Sequence, residues 1–117
     1  MVGPPAPGRL ALLAALALSS CAPRATVRPA GNGQVVFAWN GEAEAAWVSG
    51  TMTGWKRIPL LRGGGHLEVT LAVHPGRHEY RLEVLEKTGI RIVLPPGVEQ
   101  VEDGFGGENA VLRMGGP

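Results

Sequence analysis

Few side chains in this sequence of 117 residues could do chemistry, and the most conspicuous stands in the stretch SGTMTGWKRIPLLR, Ser49 to Arg62. Trp55 sits there in a run of Gly and Thr, with no apolar residue between it and Ile58. A large ring in a tight loop either folds beneath the domain as packing or stands out to stack on a flat ligand. His66, His74 and His78 are the only histidines. They are spread over separate runs without a clustered Cys or carboxylate at ligand spacing, which argues against a zinc site. Glu102 and Asp103 are adjacent acids in a Gly-rich stretch, and no opposing carboxylate completes a glycosidase pair. No nucleophile elbow, phosphate loop or Ser/His/Asp order is present. The residues therefore point to a binding protein and away from an enzyme, with no metal and no cofactor.

The single cysteine, Cys21, ends the segment MVGPPAPGRLALLAALALSSC, in which Arg9 precedes an unbroken apolar run from Leu10 to Leu18. That layout is a secretory signal, and the run is too short to span a bilayer. Leu18-Ser19-Ser20-Cys21 resembles the lipobox of bacterial lipoproteins: an aliphatic residue, two small residues, then the cysteine that becomes the lipidated N-terminus. Small side chains let a peptidase approach the bond in extended form, and the Cys21 thiol takes up the diacylglycerol. The resemblance implies a signal peptide over 1–20 and a membrane anchor at Cys21, with each buried methylene contributing about 0.8 kcal/mol. Ala22, in place of Asp, implies a bacterial cell-envelope protein sorted to the outer membrane. An ordinary signal peptide with an incidental cysteine is the alternative. With no second cysteine, the mature chain has no disulfide framework.

Positioning any site falls to the rest of the chain. APRATVRPAGNG, Ala22 to Gly33, is rich in Pro and Gly without apolar periodicity, so 21–33 reads as a mobile lipidated tether. From Gln34 onward, short runs rich in β-branched and aromatic residues are cut by Gly and Pro at intervals of about ten residues, the signal of an all-β sandwich or barrel. Four runs are clear, Gln34–Trp39, Ala45–Gly50, His66–Val73 and Arg77–Leu85, and GIRIVL and NAVLRM add two more. Leu67, Val69, Leu71 and Val73 share one face of the third run. His78, Tyr80, Leu82 and Val84 share one face of the fourth, opposite Glu79, Arg81 and Glu83. Pro75-Gly76 reads as a hairpin turn between them. Trp39 and Trp47, within strand patterns, read as structural. Lys+Arg 11 against Asp+Glu 10, net +1, gives no basic field for nucleic acid.

The ordered series F-x-W at Phe37 and Trp39, V-S-G-x-(apolar)-x-G-W from Val48 to Trp55, Pro59-Leu60, and P-G-x-H-x-Y-(basic) from Pro75 to Arg81, then GENAVLRM, resembles the glycogen-binding modules of the AMP-activated protein kinase beta subunit. The early-set domains of isoamylases and glycogen branching enzymes share it. The match runs from about Val35 to Met114. It implies an immunoglobulin-like, early-set β-sandwich over 34–114 and an α-glucan partner of the glycogen or starch type. Carried over residue by residue, it implies that Trp55 stacks on a glucose ring and that Arg81 and Asn109 bond sugar hydroxyls.

The departure is a second stacking Trp. The family's short Asp-Gly-x-Trp hairpin is replaced by LEKTGIRIVLPP, so Ile90 or Arg91 takes roughly that place. Arg91 could lay its guanidinium where the ring was, and Phe105 stands near an apolar residue that wedges into the glucan. Each ring is worth about 1–3 kcal/mol by analogy with base stacking, so one ring implies weak affinity. Two alternatives stay open for the polar residues: a cross-strand salt bridge for Arg81 between its glutamates, and a plain turn role for Asn109. The competing function is an envelope structural or protein-interaction lipoprotein that kept the fold and lost the sugar.

Overall fold

The computed structural model describes residues 22–115, so the signal segment and Cys21 lie outside the described residues. Within them ten strands run in order: β1 (Arg24–Gly31), β2 (Gln34–Asn40), β3 (Ala45–Gly50), β4 (Ile58–Pro59), β5 (Leu61–Gly63), β6 (His66–Ala72), β7 (Gly76–Glu86), β8 (Gly89–Val93), β9 (Gln100–Glu102) and β10 (Glu108–Met114). One sheet has the order β1-β2-β6-β5; the other runs β4-β3-β7-β10-β9, with β8 also pairing β7. The protein is an all-β sandwich of the immunoglobulin-like kind, as the alternation implies. Among the described residues no helix is long and apolar enough to cross a membrane.

The alternation decides which side of each strand is dry. Val35, Phe37 and Trp39 of β2, Val48 of β3, and Tyr80, Leu82 and Val84 of β7 are buried between the sheets. Phe37 meets Tyr80 across the sandwich edge-to-face, centroids 5.4 Å apart at 69°, an arrangement worth about 0.5–1.5 kcal/mol beyond area burial. Burial pushes the Tyr80 phenol above its ordinary pKa, so it stays neutral.

Two sequence expectations need correction. The tether is largely a strand: Arg24–Gly31 pairs antiparallel with β2 from Arg24↔Asn40 to Gly31↔Gln34. Only Ala25 of this strand is fully buried, so it carries almost no apolar pattern. Backbone pairing to an open sheet edge holds it, and Pro29, which lacks a donor, is tolerated at that edge. Pro75-Gly76 makes no hairpin either, because β6 and β7 belong to opposite sheets and the segment crosses from one to the other. Period-2 alternation marks a strand's two faces but is silent on its neighbour.

Candidate functional site

After β3 the chain folds into one turn of 3-10 helix, Thr51–Thr53, and Gly54 takes the left-handed conformation at φ 64°. Thr53 ties the turn: its Oγ1 accepts from the Gly50 N–H at 3.1 Å and donates to the Lys56 carbonyl at 2.8 Å. Trp55 N–H donates to the Gly50 carbonyl at 2.9 Å. Gly50 has to be glycine, because a Cβ there would collide with the Glu79 carbonyl oxygen and the Tyr80 Cβ. The turn therefore sits hard against β7. Its product is a tryptophan that is itself left-handed, at φ 64°, a conformation costing a residue with a Cβ roughly 1–2 kcal/mol. The ring is 43% exposed. The fold spends strain on holding an indole outward, where it recovers little packing.

The neighbours of that ring come from three elements. Arg81 of β7 lays its guanidinium over the indole, 6.0 Å from the ring centroid. Asn109 of β10 is only 5% exposed, and Phe105, in the loop before it, is 95% exposed. With Glu79 and Asp103 these residues line one cleft of about 400 Å³. Asp103 Oδ1 accepts from the N–H groups of Phe105 and Gly107, at 2.7 and 3.0 Å. Those two donors hold the carboxyl below the usual carboxylate range and stiffen the loop that carries Phe105.

The polar alternatives for Arg81 and Asn109 can be compared with the observed partners. Glu79 pairs with Arg77 at 2.9 Å and Glu83 with Arg57 at 3.1 Å, so both glutamates beside Arg81 are taken, and among the described residues it has no ion pair. Its Nε is buried without a hydrogen-bond partner, and so is Asn109 Oδ1. Asn109 lies within β10, not in a turn. A buried donor and a buried acceptor left unmade each cost about 1–3 kcal/mol, and the residues that carry them line the cleft beside the exposed indole. An apolar plane, a donor and an acceptor together suit a ligand that is flat on one side and bears hydroxyls at its edge.

Arg91 does not join them. Residues paired across antiparallel strands project to the same face. Arg91 pairs with the buried Val84, so it points with the core side, while Arg81 points outward. Its guanidinium is bound to both carboxylate oxygens of Glu86 at 3.0 Å and lies 5.6 Å from the Trp39 ring centroid. Ile90 and Ile92 are the β8 side chains that share the outward face, each about half exposed. Trp39, 2% exposed, and Trp47, half-buried beneath Arg57 at 4.2 Å, pack as expected of strand tryptophans. Sequence reasoning does not single out Glu79 and Asp103 as site residues; the alternation that puts Glu79 and Arg81 on one face is the signal available for the first.

Residues 33–113 match the family model described as the glycogen recognition site of AMP-activated protein kinase. The 5'-AMP-activated protein kinase subunit beta-1 of Sus scrofa is 31% identical over 49 residues, which are 42% of this chain and 40% of that protein. The Homo sapiens and Rattus norvegicus proteins are each 30% identical over 56 residues, 48% of this chain and 21% of theirs. The matched part thus spans about a fifth to two fifths of the length of these relatives.

Proposed function

We propose, from the premise that this chain belongs to the family of the glycogen recognition site of AMP-activated protein kinase, that it is a non-catalytic α-glucan-binding module held at a bacterial membrane. Trp55 stacks on a glucose ring, the Arg81 guanidinium donates to sugar hydroxyls, Asn109 Oδ1 accepts from one, and Phe105 forms an apolar side wall. The observation that carries this reading is the outward, left-handed Trp55 beside two buried polar atoms without partners. With one ring in the platform the dissociation constant is near millimolar, about −4 kcal/mol.

The anchor belongs to the same reading and rests on Leu18-Ser19-Ser20-Cys21. Only Ala22 and Pro23 separate that cysteine from β1. The three steps from Cys21 to Arg24 reach at most about 11 Å, so a lipid on Cys21 holds the sandwich close against the outer membrane and not on a long stalk. The alternative, a protein-interaction lipoprotein, draws support from the half-exposed Ile90 and Ile92 on the same outward face.

Titrating maltoheptaose into residues 22–117 while following tryptophan fluorescence tests the binding. A saturable shift that Trp55→Ala removes is expected; absence of binding at tens of millimolar assigns the protein to the interaction class. Incorporation of labelled fatty acid in a bacterial host, lost in Cys21→Ala, tests the anchor.

A further inference from the structure

Glu79 is part of the cleft wall and is bonded there to Asn109. Its Oε2 accepts from Arg77 Nη1 at 2.9 Å, and its Oε1 accepts from Asn109 Nδ2 at 3.3 Å. The backbone N–H of Glu79 donates to Thr51 Oγ1 at 3.2 Å, which fixes the start of the Trp55 turn to the same residue. Arg77 first, and then the Asn109 amide, hold the carboxyl below the usual carboxylate range. It is therefore ionised at neutral pH and can only accept.

A carboxylate that can only accept dictates the other end of the amide. An asparagine side chain can present either its NH₂ or its oxygen to a neighbour, and the two orientations occupy nearly the same space. Beside a carboxylate only one survives, because oxygen against oxygen would be repulsive. With Nδ2 turned to Glu79, Oδ1 is turned away, buried and without a partner in a residue 5% exposed. Arg81, whose Nε is also unpartnered, lines the same cleft.

We infer that Glu79 is a positioning residue: it locks the Asn109 amide so that the cleft offers one acceptor beside the Arg81 donor, and thereby selects a neutral sugar hydroxyl. A hydroxyl carries both a proton for Asn109 Oδ1 and lone pairs for the Arg81 guanidinium. A phosphate or uronate oxygen accepts from Arg81 but has no proton for Asn109, and it meets the carboxylates of Glu79 and Asp103 in the cleft wall. The inference rests on the glucan reading and adds to it the sign of each polar contact and the exclusion of acidic polysaccharides.

The test uses residues 22–117 and two readouts. In the ligand-free protein, Glu79→Gln, which can donate as well as accept, should move the Asn109 side-chain NH₂ resonances in a ¹⁵N–¹H spectrum. Arg77→Gln, which leaves the carboxylate in place, should hardly move them. In maltoheptaose titrations Glu79→Gln should weaken binding about three- to tenfold, with the melting temperature nearly unchanged because the Arg77–Glu79 pair is exposed. In an Asn109→Ala background Glu79→Gln should cost nothing further. Asn109 resonances unmoved by Glu79→Gln, or a penalty that persists without Asn109, overturns the inference. Resonances that move in a protein that binds no maltoheptaose overturn the glucan reading itself.

Discussion

Each of the three tryptophans lies under an arginine, and the pairs differ in what completes them. Over Trp39 the guanidinium of Arg91 is held by Glu86, and over Trp47 that of Arg57 is held by Glu83. Over Trp55, Arg81 has no carboxylate partner among the described residues, and its Nε is unpaired. The same two residue types thus make packing where an acid closes the arrangement and leave an open, half-exposed ring where none does. Exposure follows the same division, with Trp39 inside the sandwich and Trp55 43% exposed.

The comparison breaks first at Trp39. Trp39→Ala should lower stability by about 3–5 kcal/mol, as for buried Trp truncations, read from the urea midpoint; a loss under about 1 kcal/mol would mean the ring is not core. At Trp55 the loss should appear in binding instead, about 1–3 kcal/mol for the missing stack. Its stability should depend on the replacement. Trp55→Gly should exceed Trp55→Ala by about 1 kcal/mol, since alanine keeps the positive-φ penalty and glycine does not. Equal melting temperatures would remove the strain argument.

Strand β8 sharpens the contrast between faces. Ile92→Trp or Ile90→Trp should tighten maltoheptaose binding by up to about 1–3 kcal/mol, because these positions share the outward face with Trp55. Arg91→Trp should not tighten it, since that side chain points with the core side. The reverse order in the titrations would place the glucan elsewhere.

The smallest effect is expected at Asp103. Its carboxyl titrates lower in the folded protein than in the unfolded chain, because the Phe105 and Gly107 amides bond the ionised form. Its contribution to the loop is therefore complete above the ordinary aspartate range and fades as pH falls through the lowered value. Amide resonances of Phe105 and Gly107 should stay constant from about pH 7 to about 5 and move only in stronger acid. In Asp103→Asn, which keeps an acceptor oxygen but cannot ionise, the movement should disappear.

Much of the sandwich is legible in the chain. Strands β2, β3, β6, β7, β8 and β10 follow from runs rich in β-branched and aromatic residues, and the buried faces of β6 and β7 follow from their alternation, because successive side chains must point to opposite sides. In β2 Val35 to Trp39 are all buried, and in β8 the apolar Ile90 and Ile92 face outward. Strands β1, β4, β5 and β9 are not legible. Their ranges hold two to eight residues with little burial, and they exist because a neighbour offers unpaired backbone groups, which leaves no mark on side-chain types.

The site divides along the same line. The run of Gly and Thr around Trp55 specifies a tight turn by itself, since Gly54 supplies the left-handed residue and Thr53 the internal hydrogen bonds. Whether its ring meets anything is decided only when β7 and β10 become neighbours, bringing Arg81 and Asn109 to one cleft from 28 positions apart. Arg91 shows the converse. One residue of register separates it from Ile90 and Ile92, and in a strand one residue is the difference between the two faces of the sheet. The order of residues determines which side chains alternate; the pairing of β8 with β7 determines which of them share the outward face with Arg81.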